Sequence, residues 1–209
     1  MPLPMRTVVN ELLVKNDRAT KIYEAVHRAW DRAVELYPQR AVWLRKATFR
    51  GIVWEHVVRE LNSLASADPG IAPLFHRDTA SFIIDNVILF RFKHASVSLA
   101  TANYPTPEAV AYDDHEMDLY GYEGLQRVEL CYVLNEFETE VIWVGISARN
   151  NGEFLWKIEL TSDGIAIPMQ PEFFNDDEFD PLRIASFKQP KSDEAEQNKD
   201  KKKKDNGSS

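Results

Sequence analysis

The sequence is poor in the features that most often announce a function. It holds one cysteine in 209 residues, so no disulfide can form within the chain. Cys131 falls in an alternating apolar stretch, where a free thiol packs as a small hydrophobe and is expected to be inert. No apolar run approaches the roughly 18 residues of a membrane-spanning helix, and the opening MPLPMRTVVN lacks the apolar core of a secretory signal. The expectation is a cytoplasmic protein with no membrane contact. Phosphate-cradling GxGxxG and GxxxxGKS/T patterns are missing, as are the HExxH metal pair, the GxSxG nucleophile elbow and the CxxC redox pair. A restriction-type nuclease centre would want an acid two positions before Lys157, where Leu155 stands instead. No catalytic residue and no cofactor are assigned on this basis.

What is present is concentrated in residues 127–160. Val128, Leu130, Tyr132 and Leu134 alternate with other residues, as do Phe154, Trp156, Ile158 and Leu160, the period-two pattern of half-buried strands. Between them residues 141–148 are apolar on both faces, with Val141 and Trp143 expected to point one way and Ile142, Val144 and Ile146 the other. A central strand covered on two sides reads this way. Asn151-Gly152 supplies the pair tolerant of positive φ that a type I′ hairpin needs. The result is an antiparallel β-meander, which requires a second layer to be stable.

Helices are the expected second layer. Residues 6–14 carry a helical apolar pattern. From 17 to 36, Ile22, Val26, Trp30 and Val34 recur at four-residue steps until Tyr37-Pro38 stops the run. Residues 52–64 repeat the pattern with Val53, Val57, Leu61 and Leu64, and Ala67-Asp68-Pro69-Gly70 makes a turn. The segment FIIDNVILFRF, residues 82–92, is β-branched yet long, with cap residues at 78–81; a helix is expected there, and Asp85 and Asn86 then need polar partners. After a turn at 161–164, residues 165–167 can add an edge strand. The fold class is therefore α+β, with N-terminal helices (about 1–95) packed on an antiparallel meander (about 125–170) in one domain, 1–187. A charged tail, 188–209, is expected to be disordered.

Charge is unevenly placed in this chain of net charge −8. Residues 1–70 hold eleven Lys/Arg against eight Asp/Glu, whereas residues 111–187 hold four against seventeen, so the two stretches stand at +3 and −13. An acidic surface repels nucleic acid and favours a protein partner with a basic surface. Phe173, Phe174, Asp176, Asp177, Glu178 and Phe179 form an acidic-aromatic segment suited to docking such a partner, or to folding back on the chain's own basic patch. That patch, Arg40, Arg45, Lys46 and Arg50, is interleaved with Trp43, Leu44 and Phe49, and reads either as a phosphate or acidic-partner site, with nucleic-acid binding as an alternative function, or as arginines lying over a helical surface. Asp113, Asp114, His115, Glu116 and Asp118 crowd an irregular stretch, 103–124; they suit Mg²⁺ or Mn²⁺ and support a hydrolase or nuclease alternative, although adjacent carboxylates point apart.

The motifs FRFKHA, ANYPT, RVELCYVL and EFLWKIEL within residues 82–160 resemble small uncharacterised bacterial proteins of mobile-element, toxin-antitoxin or phage-defence loci. The resemblance covers under half of the chain and carries no motif of assigned chemistry. It implies a bacterial cytosolic interaction protein, non-enzymatic and neutralising or regulatory in role.

Overall fold

A computed structural model describes residues 3–101, 106–117, 119, 121 and 124–166. The chain begins with three helices, α1 (Arg6–Val14), α2 (Arg18–Leu36) and α3 (Lys46–Ala67). Between α1 and α2, Asn16 and Asp17 both take positive φ and reverse the chain without a side-chain cap. Ile22, Val26 and Trp30, with alanines between them, bury one face of α2, and Phe49, Val53, Val57 and Leu61 bury one stripe of α3 at four-residue steps. Helix α3 starts a turn and a half earlier than the stretch 52–64, so Gly51 lies inside it and Phe49 joins the core. Each such apolar side chain contributes roughly 1.5–3 kcal/mol on burial.

Among the described residues seven strands follow in one sheet, ordered β1 (Ile71–His76), β2 (Thr79–Ile84), β3 (Ile88–Ala95), β4 (Gln126–Leu134), β5 (Val141–Asn150), β6 (Glu153–Thr161) and β7 (Gly164–Ile165). All neighbours are antiparallel except β3 and β4, which run parallel with Phe90 beside Val128 and Phe92 beside Leu130. A parallel pair needs a long crossover. Residues 96–125 make it, and they contain the short helix α4 (Pro107–Asp113), capped by Thr106. The architecture is α+β as expected, with the meander at β4–β6.

The expectation of a helix over residues 82–92 is overturned, and with it a helical part reaching residue 95. Val87 N–H donates to the Ile84 carbonyl at 2.9 Å, and Asp85 and Asn86 take φ of 48° and 56°. This is a primed turn, whose twist matches that of paired strands. The supposed cap residues near Asp78 instead close the β1–β2 turn, where Arg77 has φ 51° and the Thr79 hydroxyl donates to the His76 carbonyl. Short polar side chains serve turns as well as caps, and β-branched content decided the matter in favour of strands.

The sheet buries two unequal faces. Phe82, Phe90, Leu130, Tyr132, Ile146 and Ile158 meet the three N-terminal helices in the main core. On the opposite face Ile83 and Leu89 pack with Tyr112, Leu119 and Leu125, and Cys131 and Val133 pack with Ala95, Leu99 and Trp143. Strand β4 is buried at every position and so is the doubly covered centre. A bulge pairs Val133 with Trp143 but Leu134 with Val141. Contrary to the simple alternation, Val141 therefore joins Val144 on the helix side, Trp143 faces the other way, and Ile142 is left half exposed.

Candidate functional site

The basic, aromatic-interleaved stretch forms one wall of a cleft. Helix α2 ends at Leu36, Pro38 opens a 3₁₀ turn (Pro38–Val42), and Trp43 is extended before α3 starts at Lys46. Proline fixes that sharp exit because it cannot donate to the preceding turn. Tyr37, Trp43, Phe49 and Trp30 then contact one another edge to face, with centroids 5.5–6.4 Å apart. The ladder roots the loop in the main core. The Arg40 guanidinium lies 5.0 Å from the centre of the Phe49 ring, a cation–π contact.

The other wall is the turn between β4 and β5. Asn135 organises it: its side-chain oxygen accepts from Thr139 N–H, its amide donates to the Thr139 hydroxyl, and its backbone pairs with Glu140 and Glu138. Glu138 takes φ 55° and its carboxylate accepts from Arg50 Nη1 at 3.1 Å, tying the turn to α3. Between the walls lies a cleft of about 230 Å³ lined by Arg40, Trp43, Lys46, Phe49, Phe137 and Glu138, among others. Phe137 is 74% exposed, and the two residues flanking Trp43, Val42 and Leu44, are 82% and fully exposed. Arg45 and Lys46 are exposed and form no ion pair among the described residues.

A second polar cluster lies under α4, on the sheet face away from the main helices. Arg91 donates to the Ser81 hydroxyl at 3.2 Å and to Glu108 at 3.1 Å; Glu129 accepts from the Thr101 hydroxyl at 3.1 Å and has Arg149 Nε at 3.7 Å. Arg127 donates to the carbonyls of Ala111, Asp114 and Met117, which fastens the end of α4 to the sheet. Burial lowers the pKa values of Lys93 and His115 below their ordinary values and pushes the Cys131 thiol up to about 12. Among the described residues Arg149 Nε and His115 Nδ1 have no hydrogen-bond partner, and the free space beside them is about 10 Å³. This cluster holds α4 down on the sheet.

The expected site residues separate accordingly. Arg40 and Lys46 line the cleft, Arg50 braces it and Arg45 stands beside it. Asp113 does not face its neighbours: its carbonyl and carboxylate accept the N–H groups of Asn151 and Gly152 at the β5–β6 turn. Asp114 accepts from Glu116 N–H at 2.9 Å, His115 Nε2 meets the Arg149 carbonyl at 2.9 Å, and Asp118 lies outside the described residues. Among the described residues no three His, Cys, Asp or Glu side chains gather into a metal-binding group. Phe173, Phe174, Asp176, Asp177, Glu178 and Phe179 also lie outside them. Sequence reasoning passed over Phe137, whose signal was a large apolar side chain in an otherwise polar turn, NEFETE. No protein family, no curated protein and no solved structure matches this chain.

Proposed function

We propose that this protein is a protein-binding module rather than an enzyme, and that it docks its partner at the cleft between Trp43 and Phe137. The observation that carries the reading is the exposure of Val42, Leu44 and Phe137 around an aromatic cleft, beside which Arg45 and Lys46 form no ion pair among the described residues. Large apolar side chains grouped on a surface mark interaction sites. Burying these three supplies roughly 5–9 kcal/mol, and association consumes at least about 4 kcal/mol of that in lost freedom. The apolar anchors alone thus support a weak complex, and tight binding draws on the cations as well.

The expectation of a basic partner rests on the acidic balance of residues 111–187, five of whose seventeen acids fall in residues 172–180, outside the described part, whereas the described cleft favours the opposite charge. Following the resemblance to mobile-element, toxin-antitoxin and phage-defence proteins, we place such a module in the bacterial cytoplasm as a regulatory or neutralising component. The test is affinity capture from a lysate of the native host, comparing the parent chain with a Leu44→Ser, Phe137→Ser double variant of unchanged melting temperature. A stoichiometric partner retained by the parent and lost by the variant is expected. Equal capture by both would overturn the reading.

A further inference from the structure

Resting on that reading, we infer that the partner presents an acidic segment with an aromatic anchor, the aromatic ring seated between Trp43 and Phe137 and its neighbouring carboxylates meeting Arg45 and Lys46. Size argues first. At about 230 Å³ the cleft falls below the range of small-molecule pockets, roughly 300–1,000 Å³, and suits a single inserted side chain. Its lining argues next. Trp43, Phe49 and Phe137 offer ring edges and faces, and aromatic pairs gain about 0.5–1.5 kcal/mol beyond their buried area.

Charge argues for the flanks of the segment. Glu138, the acid in the cleft lining, is already paired with Arg50, whereas among the described residues Arg45 and Lys46 have no ion pair and Arg40 has none beyond its contact with the Phe49 ring. The cleft is thus locally positive on a chain of net charge −8. An acidic partner is repelled by the acidic stretch 111–187 and drawn toward exposed cations such as these, so charge favours docking at this face. A nucleic acid shares the negative charge, but it would want a continuous cationic track. Here the exposed neighbours of Trp43 are the aliphatic Val42 and Leu44.

The chain's own residues 172–180, EFFNDDEFD, have the composition in question and furnish a probe. A fluorescein-labelled peptide of that sequence is titrated with the full chain and with a full-chain variant in which Phe173, Phe174 and Phe179 are serine, which removes the chain's own copy as a competitor. Micromolar binding to the serine variant is expected. In that background Lys46→Glu, Arg45→Glu and Phe137→Ala should each weaken binding tenfold or more at unchanged melting temperature, and raising salt should weaken it further, since exposed charges are screened over roughly 8 Å at physiological ionic strength.

Three comparison probes are used: the peptide with its phenylalanines replaced by alanine, a charge-reversed KFFNKKKFK, and a nine-nucleotide single-stranded RNA. Each should bind at least tenfold more weakly. Equal binding of the charge-reversed peptide, tighter binding of the RNA, or parent-like affinity after Lys46→Glu would overturn the inference. If no peptide binds while the Leu44→Ser, Phe137→Ser variant still loses its captured partner, the acidic-aromatic chemistry is wrong and the docking cleft stands.

Discussion

Arg18 Nη1 donates to Asp85 Oδ2 at 2.9 Å across 67 residues of chain, while Nε of the same guanidinium reaches Asp68 Oδ2 at 2.7 Å. One fully buried fork thus joins the start of α2, the end of α3 and the β2–β3 turn. Only arginine supplies in-plane donors along two edges of one rigid group, enough for two carboxylates. Lys15 adds a partly exposed contact to Asp85 at 2.8 Å. Asp85 itself sits at positive φ, so the pairing holds in place a turn whose backbone most residues resist.

Gly70 is where this network leaves no room. A Cβ there would collide with Arg18 Nη2 and Asp85 Oδ1. Gly70→Ala should cost about 1–3 kcal/mol as overpacking, rising toward 3–5 kcal/mol if the buried ion pair separates. Gly51→Ala is the control, because nothing lies within 4 Å of its added Cβ and the site is helical; it should stabilise by about 0.5–1 kcal/mol. Urea midpoints measure both. Equal midpoints for the two variants would refute the crowding at Gly70.

Asn151 and Gly152 close the β5–β6 hairpin at φ 49° and 82°, and a Cβ at Gly152 would meet nothing within 4 Å. Gly152→Val therefore tests backbone conformation at a position where an added Cβ has open space. A β-branched residue at that φ should cost on the order of 1–3 kcal/mol, read as a fall in melting temperature. A temperature unchanged within error would mean that the turn takes another form.

How legible was this fold? Helix α2 and the β5–β6 hairpin were plain, because a four-residue apolar step and an Asn-Gly pair each favour one local structure. Residues 82–92 were not. An apolar run covered on both faces loses the alternation that separates strand from helix, and Asp85-Asn86 serves a cap as readily as a turn. The bulge at Ile142 was also hidden, since register depends on the partner strand. Half of the cleft was visible as a basic, aromatic stretch. The contribution of Phe137 depends on the Arg50–Glu138 contact, made across 88 residues, which no local pattern encodes.

Cys131 faces Ser147 at 3.4 Å in the covered sheet face, and burial holds its thiol near a pKa of about 12. Thiolate is the reactive form. The folded protein should leave a disulfide reagent unconsumed over hours at pH 8, whereas one equivalent should react promptly in urea. Prompt reaction of the folded protein would place Cys131 at an accessible site and reopen a catalytic role for it.

Acid should dismantle the Arg18 network in a definite window. Hydrogen bonds from Arg18 hold Asp85 down to about 2 and Asp68 well below the ordinary carboxylate value of 3.8. Because both folded values are depressed, their stabilisation is complete above the unfolded value and is lost as pH falls from about 4 toward 2, where the unfolded chain binds more protons. Burial also lowers the folded pKa values of His27, His56, His94 and His115. Their protonation favours the unfolded chain at a higher pH, as the solution passes below about 6.5. Subtracting an Asp85→Asn variant from the parent cancels the histidine part. The variant should be less stable at pH 7, because Arg18 and Lys15 lose a carboxylate partner, and the gap should narrow through pH 4 to 2. Urea unfolding at half-unit pH steps measures this difference; a gap constant across that window would mean that Asp85 titrates normally and that Arg18 does not hold it.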